Sequence, residues 1–141
     1  MCIRDRHTIV PFPDYSTLIK AMNKENTIRT AIENGISIPK TYFVKIVEDL
    51  EFDELEYPLI LKPVRSSGSR GVALCNNKGE LIAKYRHISK KYGSLLVQEY
   101  IPRGGEIGVY TLFNAKSKPV ALSVQKRIRS YPVSGGPSTL R

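Results

Sequence analysis

Residues 57–72 constrain this chain more than any other stretch. Tyr57-Pro58-Leu59-Ile60-Leu61-Lys62-Pro63-Val64 is an apolar, β-prone run with a lysine inside it. It passes directly into Arg65-Ser66-Ser67-Gly68-Ser69-Arg70-Gly71 and returns to an apolar run at Val72-Ala73-Leu74-Cys75. Strand alternation places Lys62 among apolar neighbours. An ammonium taken out of water without a partner costs several kcal/mol, so Lys62 requires an anion or a carboxylate nearby. The loop that follows is rich in backbone N–H groups, hydroxyls and guanidinium, the donors that wrap a polyphosphate. Strand, lysine and anion-binding loop together point to a nucleotide site.

With 141 residues the chain is one domain at most, or a piece of a larger one. Apolar runs such as Tyr57–Leu61 and Leu95–Val97 fall far short of the ~20 residues of a membrane span. The N-terminal region lacks the apolar core of a signal peptide. Cys2 and Cys75 are scattered and have no metal-ligand spacing, and His7 and His87 stand alone. A reducing cytoplasmic setting and no metal site within these residues are the expectations. The net charge of +9 calls for an anionic partner: nucleic acid, an acidic membrane face or phosphates. Part of that charge is a solvated surface, as for Lys84, Arg86, Lys90 and Lys91 opposite a helical apolar stripe.

The patterning predicts a helix capped by Asn23 and running to Asn34, with Ile28, Ala31 and Ile32 on one face and Gly35 as its stop. A second begins at Asn77, which has capping-box spacing to Glu80. It carries Leu81, Tyr85, Ile88 and Tyr92 on one face, and Gly93 ends it. Strands are predicted near 42–47, 58–64, 71–75, 95–100, 107–113 and 119–125, the last two as a long hairpin. This order is α+β rather than regular βαβ alternation. Neither G-x-x-x-x-G-K-[ST] nor G-x-G-x-x-G after the first strand occurs, so P-loop and Rossmann sites are unsupported.

Five segments in order resemble the ATP-grasp superfamily of carboxylate–amine ligases over roughly residues 15–141. Asn23-Lys24, then Ile28, Ala31, Gly35-Ile36 and Pro39, resemble the opening of its nucleotide-binding domain, with Asn23 where Asp is commoner. Tyr57 to Pro63 resembles its lysine strand, and Ser67 to Val72 its phosphate-covering loop. Leu96-Val97-Gln98-Glu99-Tyr100-Ile101, then Gly105-Glu106, resembles its adenine hinge and ribose-binding glutamate. Lys126 to Pro132 with Ser134 to Thr139 is similar to a subgroup of uncharacterised members, distantly similar to carbamoyl-phosphate synthase.

The resemblance implies an ATP-grasp fold in its N-terminal part: the small subdomain and the start of the second. Residues 15–141 would form the truncated nucleotide-binding domain. Residues 1–14 would be a leader or the remnant of a preceding domain, and Met1 to Arg6 fit no element. The family's magnesium ligands, near a later E-x-N motif, would lie outside these residues. Lys24 and Lys62 would neutralise the α- and β-phosphates. Ser66, Ser67, Gly68, Ser69, Arg70 and Gly71 would close over the β- and γ-phosphates. Gln98, Glu99, Tyr100 and Ile101 would hold the adenine edge, and Glu106 the ribose hydroxyls. Lys126, Arg127 and Arg129 would face the γ-phosphate or an acyl-phosphate, and Ser134-Gly135-Gly136 could cradle the transferred group. Against these stand plainer readings: a solvated Lys24, an ordinary hairpin loop, a surface acid at Glu106 and a solvated strand end at Lys126 and Arg127. The implied chemistry is phosphoryl transfer from ATP to a small-molecule carboxylate, followed by attack of an amine. Nucleic acid and membrane are not expected partners. A non-catalytic nucleotide-binding module, or a basic nucleic-acid-binding domain using Tyr92, Tyr100, Tyr110 and Tyr131 as stacking platforms, are the alternatives.

Overall fold

The computed structural model describes residues 13–102, 104–131 and 138–140. Three helices and eight strands follow in the order α1 (Tyr15–Met22), α2 (Lys24–Glu33), β1 (Thr41–Phe43), β2 (Leu59–Pro63), β3 (Ala73–Cys75), α3 (Lys78–Tyr92), β4 (Leu95–Glu99), β5 (Glu106–Phe113), β6 (Pro119–Arg127), β7 (Arg129–Ser130) and β8 (Ser138–Leu140). The α+β class expected from the sequence is what the chain adopts.

Strands β1, β4, β2 and β3 form one antiparallel sheet in that order. Alternation along β2 sends Leu59, Leu61 and Pro63 to one side and Ile60 and Lys62 to the other. The first side is the core. Leu59, Leu61, Cys75, Leu95 and Val97 meet Leu81 and Tyr85 of α3 there, and Val47, Leu50 and Leu55 of the β1–β2 connection close it. Each of the fully buried leucines removes enough apolar surface from water to stabilise the fold by about 1.5–3 kcal/mol. The Tyr85 hydroxyl reaches the edge of this core and donates to the Lys45 carbonyl at 3.2 Å.

The helix over the core starts where the sequence marks it. Asn77 Oδ1 accepts the Glu80 N–H at 2.9 Å. The return half of the box is displaced by one residue, because Glu80 Oε2 accepts from the N–H of Asn76, at 3.3 Å, and not from that of Asn77. Gly93 ends the helix at φ 71°. Lys84 and Arg86 lie outside the apolar stripe, paired at 2.7 Å with Glu80 and Glu48 respectively.

Strands β7 and β8 have no counterpart among the predicted strands, and three further elements differ from the expectation. Helix α1 has no counterpart among the predicted elements. It is capped by Asp14, whose Oδ1 accepts the Thr17 N–H at 2.8 Å; Tyr15, Leu18, Ile19 and Met22 recur at helical spacing along it, yet none of its residues is buried. The strand expected at 42–47 stops at Phe43, because the chain turns through Ile46 to bury Val47 in a short 3₁₀ turn, Val47–Asp49. The strand expected from residue 71 begins at Ala73, because residues 68–71 belong to the loop's turn.

Beyond this sheet, β5 and β6 pair as a two-stranded antiparallel ribbon, and β7 pairs with β8. Among the described residues no helix is long and apolar enough to cross a membrane.

Candidate functional site

The second face of the four-stranded sheet carries the site. Register places Thr41 opposite Gln98, Gln98 opposite Ile60, and Leu96 opposite Lys62. Thr41, Phe43, Ile60, Lys62, Leu96 and Gln98 therefore share this face. Lys62 has apolar neighbours on its face, Ile60 and Leu96, as alternation predicted, but this face is not the one that meets α3. Lys62 is half-buried there, and its Nζ donates to Gln98 Oε1 at 2.7 Å. The partner is a neutral amide where the sequence argument required an anion or a carboxylate.

Helix α2 brings a second lysine to the same place. Its N-cap Asn23 accepts the Asn26 N–H at 3.1 Å, and the backbone N–H of Lys24 donates to the Val64 carbonyl at 3.1 Å. The start of the helix is thus tied to the end of β2. Farther along, Arg29 is held by Glu25 at 2.8 Å and stacks over the Phe43 ring, 4.1 Å from its centroid. The Lys24 ammonium donates to the Ser66 carbonyl at 2.7 Å and approaches Ser66 Oγ at 3.4 Å. Burial pushes the Lys24 ammonium below the usual lysine range. Lys62 is pushed down by burial first and by the charge of Lys24 second. Two partly desolvated cations, one under the charge of the other, therefore have neutral oxygens as partners, and among the described residues neither forms an ion pair. Such a pair lacks a negative charge.

The loop 66–71 begins at this pair. Arg70 folds back on it: its Nε donates to the Ser67 carbonyl at 3.1 Å and a terminal nitrogen donates to Ser67 Oγ at 2.9 Å. Gly68 and Ser69 have φ of 60° and 58°. Gly71 has φ 74°, and a Cβ there would lie 2.7 Å from Pro63 Cγ and 2.9 Å from Tyr92 Cε2. Only glycine fits a left-handed position that close to two rings. The loop's far end is thereby fixed against β2 and α3, while Ser67, Gly68, Ser69 and Arg70 are exposed. A hollow of about 350 Å³ opens between Asn23, Glu25, Val64, Arg65, Tyr92 and Ser94.

At the expected hinge, the N–H groups of Glu99 and Tyr100 are already bonded, to the carbonyls of Lys40 at 2.8 Å and Pro58 at 3.3 Å. The Glu99 carboxylate accepts the Lys40 N–H at 3.0 Å. Ile101 is exposed, and its N–H is the first after these with no partner among the described residues. Gln98 does not offer a free side chain to a base: it is 4 % exposed and both ends of its amide are engaged, Oε1 by Lys62 and Nε2 by Thr41 Oγ1 at 2.7 Å. On the ribbon, Glu106 lies across from Arg127 and the two form an ion pair. Both line a hollow of about 60 Å³ with Tyr110, Gln125 and Ser138. Lys126 lies opposite Ile107, on the other face of the ribbon from Arg127, and Arg129 opens β7. Ser134-Gly135-Gly136 and residues 1–12 fall outside the described residues.

The ATP-grasp domain family matches residues 21–135, most of the chain. The chain belongs to this family. A D-alanine–D-alanine ligase of Thermotoga petrophila is 38% identical over 102 residues, 71% of this chain and 33% of that enzyme. A formate-dependent phosphoribosylglycinamide formyltransferase of Wolinella succinogenes is 33% identical over 111 residues, 74% of this chain and 28% of its own length. The chain thus spans about a third of the length of these curated relatives. Among solved structures, an L-amino acid ligase from Bacillus licheniformis superposes with a TM-score of 0.67 at 23% identity, covering 94% of this chain and 32% of that one. The ATP-grasp fold of the described elements is therefore shown by sequence and by shape together.

Within that fold, sequence reasoning anticipated the Lys24–Lys62 pair and the loop but not Thr41, the partner of Gln98. No local signal marks a lone threonine on a short strand. Its role emerges only when β1 and β4 are placed side by side.

Magnesium is implied by the family. Among the described residues no group of three or more His, Cys, Asp or Glu side chains lies close enough to hold a metal ion. These residues do not offer it a seat, and no step is assigned to it.

Proposed function

We propose that this chain is the ATP-binding portion of a ligase that activates a carboxylate as an acyl-phosphate for attack by an amine. The observation that carries the reading is the pair of lysines, Lys24 and Lys62, partly desolvated, bonded to neutral oxygens and adjoining a loop of exposed amides and hydroxyls. A polyphosphate supplies the missing negative charge. The relatives' names agree in chemistry: D-alanine and formate each bring a carboxylate, and D-alanine and phosphoribosylglycinamide each bring an amine.

In this reading Lys24 and Lys62 neutralise the inner phosphates, and the amides of residues 66–71 close over the outer ones. Ile101 offers its N–H to the adenine edge, and Glu106, shared with Arg127, takes the ribose hydroxyls. Lys126, Arg127 and Arg129 neutralise charge on the transferred group. A carboxylate oxygen attacks the γ-phosphorus as its bond to the β–γ bridging oxygen breaks, and ADP leaves. The amine then attacks the acyl carbon, and phosphate leaves with the electron pair of the carbon–oxygen bond. Charge neutralisation and alignment supply the acceleration, without a nucleophilic side chain.

Isothermal titration tests the binding part. ATP binds more tightly than AMP, and Lys62→Ala weakens ATP by about 1.5–3 kcal/mol, the range for a lost hydrogen bond to a charged group. Equal affinity for ATP and AMP overturns the reading. Salt-resistant RNA binding that ATP does not compete would replace it with a nucleic-acid module.

A further inference from the structure

Gln98 is the one buried polar side chain among the described residues, and its environment leaves it a single orientation. The Thr41 hydroxyl donates its only hydrogen to the Pro39 carbonyl at 2.7 Å. What it turns toward Gln98 is therefore a lone pair, which can only accept. Gln98 must present Nε2 to Thr41, as it does at 2.7 Å, and so must present Oε1 to Lys62, also at 2.7 Å. The reversed amide would set an N–H₂ group against an ammonium and a carbonyl oxygen against a hydroxyl oxygen with no hydrogen left to give. The chain of donors runs one way across three adjacent strands, from β2 through β4 to β1, and ends on a backbone carbonyl.

We infer that Thr41 is a positioning residue for Lys62: by fixing the amide of Gln98 it aims one N–H of the ammonium into the sheet and the other two outward. Thr41 touches no ligand in this arrangement. Removing its hydroxyl leaves Nε2 of Gln98 buried without an acceptor, so that the amide is held at one end only and its oxygen is no longer fixed in place. The ammonium would then lose its fixed point while the charge of Lys24 still acts on it. Lys62 would remain present and charged but would no longer be aimed.

The affinity part of the test rests on the nucleotide reading above; the spectroscopic part does not. In the folded 141-residue chain with isotope-labelled lysine, the Lys62 side-chain resonance is followed by NMR through an alkaline titration. Thr41→Val moves this resonance and its titration midpoint, and Thr41→Ser, which keeps the hydroxyl, restores both. If the valine variant does not fold, Thr41→Ala replaces it. For ATP, Thr41→Val weakens binding about tenfold, the lower end of what a hydrogen bond to a charged group is worth. In a Lys62→Met background the same change alters affinity by less than about twofold, because Thr41 acts only through Lys62. A Lys62 resonance indifferent to Thr41→Val overturns the inference whatever the nucleotide does. Equal losses of affinity in both backgrounds overturn it as well. If the wild-type chain fails to bind ATP while the resonance moves as expected, the nucleotide reading falls and the positioning role stands.

Discussion

Lys62 gives up part of its hydration to the surrounding strands and gets a neutral amide oxygen in return. With Lys24 beside it, its proton is held less tightly than in the unfolded chain. The consequence for stability has a definite sign. Between the lowered folded value and the ordinary 10.5, the unfolded chain still holds a proton that the folded chain has released. The unfolded state binds more protons there, so this residue's contribution to stability rises with pH. In urea unfolding followed from pH 8 to 10.5, the wild-type protein gains stability relative to Lys62→Met as pH rises; a constant difference would contradict the depressed value. Glycine sets a second residue-scale expectation. Gly71→Ala meets both a strained φ and two rings, whereas Gly68→Ala meets only the φ. Gly68→Ala should cost about 1 kcal/mol and Gly71→Ala clearly more, about 2–3 kcal/mol, in denaturant unfolding. Equal costs would show that the rings move aside freely.

At the scale of elements, the loop between β2 and β3 is fixed at Gly71 and open from Ser67 to Arg70. Trypsin should cut the free protein after Arg65 or Arg70, and saturating ATP should slow both cuts as the amides close on phosphate. Unchanged cleavage counts against a covering role. The elements that were legible in the sequence are those whose signals are local. Asn77 and Gly93 mark α3, and the run before Lys62 marks β2. Helix α1 escaped notice although its signals are local, the Asp14 cap and Tyr15, Leu18, Ile19 and Met22 at helical spacing; it spans only eight residues and buries none of them. The sheet order escaped notice for another reason. β1 pairs with β4 across more than fifty residues, with Thr41 opposite Gln98, and nothing in either short segment names the other. Half of the candidate site was therefore readable, the lysines and the loop. The Gln98–Thr41 relay was not, because it exists only through that pairing. Which face Lys62 occupies was not legible for the same reason: alternation tells which residues share a face but not which face meets α3.

At the scale of the whole molecule, the ribbon of β5 and β6 shows apolar side chains to solvent. Ile107, Val109, Leu122 and Val124 lie together on one face, each more than 60% exposed. An isolated two-stranded ribbon is marginal in water, and an apolar stripe of this kind binds hydrophobic dyes. The chain should enhance anilinonaphthalene sulfonate fluorescence while folded. Leu122→Lys with Val124→Lys should remove most of that enhancement and change unfolding free energy by no more than about 0.5 kcal/mol per site. Fluorescence unaffected by the pair would place the dye elsewhere.

The two like charges of Lys24 and Lys62 have one more consequence, and it concerns the fold's own charge balance. Without a counter-ion, α2 and β2 are joined through the Lys24 N–H and the Val64 carbonyl while their side chains repel. The joint between helix and sheet carries two like charges. A polyanion that settles there would turn repulsion into cross-linking and so act as a structural strut. At a hundred times its dissociation constant, such a ligand adds about 2.7 kcal/mol to the folded state, a sizeable fraction of what holds a small domain together.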